Sequence, residues 1–192
     1  MRVLAALCIL AFIVTFANAQ VSSRRTPPNQ RDQIISHDDY ELYRNFEHKF
    51  RIRFPKGWQI KDADSLNIVK KASDPISRTI LMIIVKPVQG RPSETDMKQM
   101  MDGAIESMKS VDPAAEVLEK GIRYISMEKA VYLKGRLILK ALNLSRESIM
   151  IMYSLVHQGK LYVLQAIAPS NNFPSIESAL NASFISFIFE EV

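Results

Sequence analysis

The hydrophobic pattern divides the chain into an apolar start, a polar stretch and a long region of regular alternation. Residues 3–16 are apolar except for Thr15, and residues 20–45 carry few large apolar side chains. From residue 50 the pattern becomes regular. Phe50, Ile52 and Phe54 alternate with Arg51 and Arg53, which predicts a half-buried strand with a charged outer face. Pro55-Lys56-Gly57 is turn chemistry, and Trp58 and Ile60 alternate with Gln59 and Lys61 as a returning strand. Ile68 and Val69 predict a third strand over residues 67–72, and Asp74-Pro75 a loop. Residues 79–85 hold no polar side chain after Thr79, the pattern of a strand covered on both faces.

The period then changes from two to 3.6. Met97, Met100, Met101, Ala104, Ile105 and Met108 form one helical face, with Lys98, Gln99, Asp102 and Glu106 off it. Ser93 can cap this helix, Asp96 suits its positive end, and Asp112-Pro113 stops it. Residues 117–125, 130–139 and 148–157 return to strand patterning, with Gly121 and Gly135 as expected bulges. Gln158-Gly159 is a two-residue hairpin turn into a strand over residues 160–168. After the break at residues 169–172, a second helix follows Pro174, with Ile176, Ala179, Leu180 and Phe184 inward. Residues 186–189 read as a last strand or docked end. Strands and helices are segregated, so the fold class is α+β: helix–sheet–helix layers around one antiparallel sheet.

The ends change the accounting. Arg2, the apolar stretch and Ala17-Asn18-Ala19 form the pattern of a secretory signal peptide, cleaved between Ala19 and Gln20. As a helix the stretch would span roughly 21 Å, short of a bilayer core. No later segment is long and apolar enough to span, so no transmembrane segment is expected after cleavage. The expected domains are a signal peptide over 1–19, a mobile leader over 20–45 and a folded domain over 46–192. Tyr40, Leu42 and Tyr43 are the leader's first docked piece, with the boundary near residue 40. The only cysteine, Cys8, belongs to the apolar run. The mature protein then has no disulfide, thiolate nucleophile or Cys-ligated metal. A charge of +5, reduced by the loss of Arg2, is too mild to argue for nucleic acid.

The chemistry is mostly excluded by spacing. The glycines lie too far apart for a dinucleotide fingerprint, a phosphate loop or a nucleophile elbow. His37, His48 and His157 have no metal-ligand spacing; His48 and His157 read as surface residues, and His37-Asp38-Asp39 as a solvated charged stretch. The methionine face could take Cu(I) through thioethers, but it is also the helix's only packing face. Lys70-Lys71, Arg51 with Arg53, and Lys134, Arg136 and Lys140 are local basic groups, read as solvated faces. Asn143-Leu144-Ser145 and Asn181-Ala182-Ser183 match the glycosylation triplet. No catalytic, cofactor-binding or metal-ligating residue is assigned, and no cofactor is implied.

Phe50-Arg51-Ile52-Arg53-Phe54-Pro55-Lys56-Gly57-Trp58 resembles the F-x-I-x-F-P-x-G-W opening of PsbP-like domains. Residues 130–133, 159–164 and 183–187 are similar to later stretches of that family, in the same order, and the resemblance spans about residues 46–190. It implies an α/β/α sandwich around an antiparallel sheet, and it carries no site residue onto this sequence. The expected function is an exported, non-catalytic accessory or binding protein of the cell envelope, periplasmic or extracellular, whose partner is another protein or an envelope component. Two alternatives stay open. One is a hydrolase-type enzyme whose carboxylates or Ser/His set meet only in the fold, and the other is an envelope protein that binds lipid or glycan.

Overall fold

The computed structural model describes residues 33–36, 39–63, 67–88, 94–141 and 144–190. The first described strands are β1 (Gln33–Ser36), β2 (Tyr40–Asn45) and β3 (Phe50–Pro55), paired antiparallel in that order. The leader expected over residues 20–45 therefore does not extend through these strands. Tyr43 is fully buried beside Phe50 and Phe54, which ties β2 into the domain. The expected signal peptide and the leader up to residue 32 lie outside the described residues.

Gly57, at φ 83°, turns the chain after β3. The next strand, β4 (Gln59–Lys61), does not return along β3; it pairs with β5 (Ile68–Ser73) in another sheet. Both edges of β3 are already taken, by β2 and by a strand from the far end of the chain. Trp58 is buried at the crossing point.

β5 leads into β6 (Ile80–Pro87), buried on both faces from Leu81 to Val85, as the apolar run requires. Leu81, Ile83 and Val85 enter one core and Ile84 the other. α1 (Glu94–Val111) follows, then β7 (Glu116–Ile125), β8 (Glu128–Ala141), β9 (Leu144–His157) and β10 (Lys160–Pro169). The β9–β10 turn has positive φ at Gln158 (46°) and Gly159 (72°), the left-handed geometry that suits a tight hairpin. α2 (Phe173–Ile185) and β11 (Ile188–Phe189) complete the described chain.

The seven-stranded antiparallel sheet has the order β4-β5-β6-β10-β9-β8-β7. α1 covers one face, packing Ala104 and Met108 with Leu133, Leu137, Met150 and Met152. The other face is covered jointly by α2 and the smaller sheet β1-β2-β3-β11. The α+β layering stands, while the expectation of one sheet omits this four-stranded layer. Phe50, Phe187, Phe184 and Tyr153 fill the core beneath it.

The glycines do not act as expected. The register slips in β7, between Val117 and Glu119, opposite Gly135 and Lys134. Gly121 sits in regular register against Tyr132. Gly135 is needed for close approach: an added Cβ would overlap the Met108 thioether and stand 3.1 Å from the Glu116 carbonyl oxygen.

Candidate functional site

The outer face of the small sheet concentrates charge. Side chains alternate across a strand, so Tyr40, Leu42 and Arg44 of β2 share this face with Arg51 and Arg53 of β3 and Ile188 of β11. Arg44 and Arg51 are directly opposite each other, an arrangement that repels. Glu190 relieves it: its Oε1 lies 2.9 Å from Arg44 Nε and 3.9 Å from Arg51 Nε. Arg53 has no carboxylate partner among the described residues; its guanidinium carbon lies 4.4 Å from the Tyr40 ring centroid. Among the described residues, three guanidinium groups thus face one carboxylate on the outer side of the small sheet. The Arg51–Arg53 pair was legible from strand alternation. Arg44, Tyr40 and Leu42 were missed because they lay in the expected leader.

A second cluster lies at the β9–β10 turn. His157 stacks on Phe189, with ring centroids 3.8 Å apart and planes 11° apart. Its Nδ1 is 2.8 Å from Glu128 Oε1. The His48 amide donates to Asn45 Oδ1 at 2.6 Å, and the His48 carbonyl accepts from the Tyr162 hydroxyl at 3.3 Å. Lys160 Nζ lies 3.3 Å from His48 Nδ1. Both histidines were expected at the surface, but their side chains are only 18% and 24% exposed. The reason is the C-terminal segment, whose Phe189 packs under the hairpin and whose Phe189 amide donates to Ser126 Oγ at 2.9 Å. This cluster fastens the chain end. Burial pushes the Tyr162 hydroxyl above its ordinary pKa.

The remaining candidates disperse. Lys70 is not solvated: a register slip in β5 between Ile68 and Lys70 turns it inward, where it is 7% exposed. Its ammonium pairs with Asp62 and sits 4.7 Å from the Tyr43 ring centroid. Lys134 pairs with Glu177 of α2, and Arg136 lies between Glu116 and Glu147. Lys140 is exposed. Met97 and Met108 are buried against the sheet, where the helix periodicity placed them. Ser183 of the Asn181 triplet is buried and donates to the Ala179 carbonyl at 3.0 Å. Ser93, His37, Asp38 and Asn143 lie outside the described residues. No group of three or more potential His, Cys, Asp or Glu metal ligands occurs among the described residues. None of the described helices is long and apolar enough to cross a membrane.

No protein-family model and no curated protein matches the sequence. Solved structures match the fold. The solution structure of cyanobacterial PsbP from Synechocystis sp. PCC 6803 superposes with a TM-score of 0.62 at 20% identity, over 81% of this chain and 95% of that one. The fold is PsbP-like. The PsbP-like arrangement extends to LpqN, a protein involved in cell envelope biogenesis of Mycobacterium tuberculosis (TM-score 0.54, 14% identity, 84% of this chain and 91% of that one). It also extends to PA94 of Pseudomonas aeruginosa, a protein of unknown function (TM-score 0.53, 17% identity, 80% of this chain and 99% of that one). At such identities the likeness is one of fold, and a fold hosts many functions.

Proposed function

We propose that the chain is an exported, non-catalytic accessory protein that binds an acidic protein partner of the cell envelope through the outer face of the small sheet. One observation carries the reading: among the described residues, Arg44, Arg51 and Arg53 share that face with one carboxylate, Glu190, although Arg44 and Arg51 repel across the ladder. Retaining a repulsive pair on an open sheet is a cost to the fold that an anionic partner would offset. Tyr40, Leu42 and Ile188 supply apolar contact between the charges. The signal-like start supports export, and the envelope role of the similarly folded LpqN agrees with the compartment.

The test is in-cell crosslinking of tagged wild type and an R51E/R53E variant, followed by reconstitution with the captured protein at low and high salt. The expected outcome is an acidic partner captured by wild type and lost by the variant, with affinity falling as salt rises. Equal capture by both forms overturns the site, and steady turnover of a substrate by the purified protein overturns the non-catalytic reading.

A further inference from the structure

On the opposite side of the large sheet, α1 stops short of the edge. Its helical face covers Leu133 and Leu137 of β8 and Met150 and Met152 of β9, all buried. Val117 of β7 still packs against this core, but the Ile122–Tyr124 end of the strand is left open. In register, Ile122 stands beside Val131 and Tyr124 beside Lys129, so these side chains point to the α1 side of the sheet. Ile122 is 49% exposed and Tyr124 66% exposed, on a strand that ends the sheet. Between this edge and the first turns of α1 lies an open cavity of about 320 Å³, lined by Met97, Lys98, Ile122 and Lys129.

The lining has a definite chemistry. Met97 and Ile122 form an apolar floor, and methionine adapts its shape to varied apolar ligands. Lys98 and Lys129 stand at its rim, both exposed, and neither has a carboxylate partner among the described residues. Lys70, Arg123, Lys134 and Arg136 of the large sheet, by contrast, each do have one. Two uncompensated ammonium groups over an apolar floor complement a molecule with an anionic head and a hydrocarbon tail.

We infer that the α1–β7 cleft is a binding site for a single-chain anionic amphiphile, its carboxylate or phosphate head between Lys98 and Lys129 and its tail on Met97 and Ile122. The head is attracted by two unpaired charges, and the tail removes exposed apolar surface at the sheet edge from water. A neutral amphiphile would keep only the second contribution, and a free anion only the first. The site lies across the large sheet from the arginine face, so it stands or falls independently of the proposed partner surface.

The experiment titrates the purified protein with laurate below its micelle concentration and follows methionine methyl signals by NMR. Decyl maltoside and inorganic phosphate serve as the neutral-amphiphile and free-anion arms. Laurate is expected to bind one to one and to shift the Met97 methyl. A K98E/K129E variant should bind it at least about tenfold more weakly, as two attractions become repulsions. I122S should weaken it as well, with phosphate affinity unchanged. Because all three side chains are exposed or half-exposed, the variants should keep their melting temperatures. The inference is overturned if laurate does not bind, if its shifts fall away from Met97, or if K98E/K129E binds it as tightly. Equal affinity for decyl maltoside removes the charged head from the site, and equal affinity for phosphate removes the tail.

Discussion

Tyr132 shows how one side chain ties two environments together. Its ring lies in the core beside Tyr153, with centroids 5.0 Å apart, while its hydroxyl reaches Glu119 at 3.3 Å. Arg123 pairs with Glu119 and covers the Tyr132 ring from 4.0 Å. Burial, and next the Glu119 charge, push the hydroxyl above its ordinary pKa, against the pull of Arg123. Burial also raises Tyr153 and Tyr162. A raised folded-state pKa means the native protein holds the proton more tightly. The associated stability is fully present below the ordinary tyrosine value of 10.0 and is lost as pH rises through the folded values. Melting followed by circular dichroism between about pH 9 and 12 should show this loss, and Y132F should lessen it. At this scale the sequence is least informative. Lys70 resembles its neighbour Lys71 until a one-residue slip reverses its direction, and that slip depends on pairing with β6. His157 meets Phe189 only because strands distant in sequence converge.

Elements were legible where their own pattern decides their state. β6 follows from an unbroken apolar run, α1 from its methionine spacing, and the β9–β10 hairpin from Gln158-Gly159. Each needs no knowledge of its neighbours. β2 was legible only as a docked piece over residues 40–43, and β1 not at all, because their place is fixed by one deeply buried ring, Tyr43, and by pairing with β3. β4 was legible as a strand but not in its partner, which depends on both edges of β3 being occupied. Gly135 was singled out for a local reason, a bulge, whereas its role belongs to the contact between α1 and β8. That contact yields a paired prediction. Gly135→Ala should cost about 1–3 kcal/mol, because its methyl overlaps Met108 and crowds a carbonyl. Gly121→Ala, with nothing within 4 Å of the added carbon, should stay within about 0.5 kcal/mol. Urea unfolding of both variants measures the contrast, and equal costs would mean α1 does not press on β8.

The molecule as a whole rests on two cores divided by the large sheet, and both candidate surfaces are places where coverage stops. The arginine face is the uncovered side of the small sheet, and the amphiphile cleft is the edge that α1 does not reach. Of the two, only the Arg51–Arg53 pair could be read from the sequence, since what leaves a surface open is the position of other elements. The larger core also depends on the chain end. Phe187 is fully buried and stacks on Phe50 with centroids 5.0 Å apart, while Phe189 packs against Tyr162 at 4.9 Å. A chain truncated after Ser186 loses both rings; a fully buried aromatic such as Phe187 is worth about 3–5 kcal/mol, and the half-buried Phe189 adds to it. That loss approaches the whole stability of a domain this size, so the truncated protein should show no cooperative melting transition.

The two edges of β3 are occupied from opposite directions of synthesis. β2 is made just before it, but Ile188 and Phe189, which pair with Arg51 and Phe50, are made only after every other described strand. The small sheet therefore cannot close until β11 has been made, and its assembly waits for a contact between elements far apart in the sequence. A nascent chain keeps this sheet open until β11 has emerged. On the export proposed above, which would pass the chain unfolded through a membrane channel, this order of events delays closure of the small sheet until β11 has crossed.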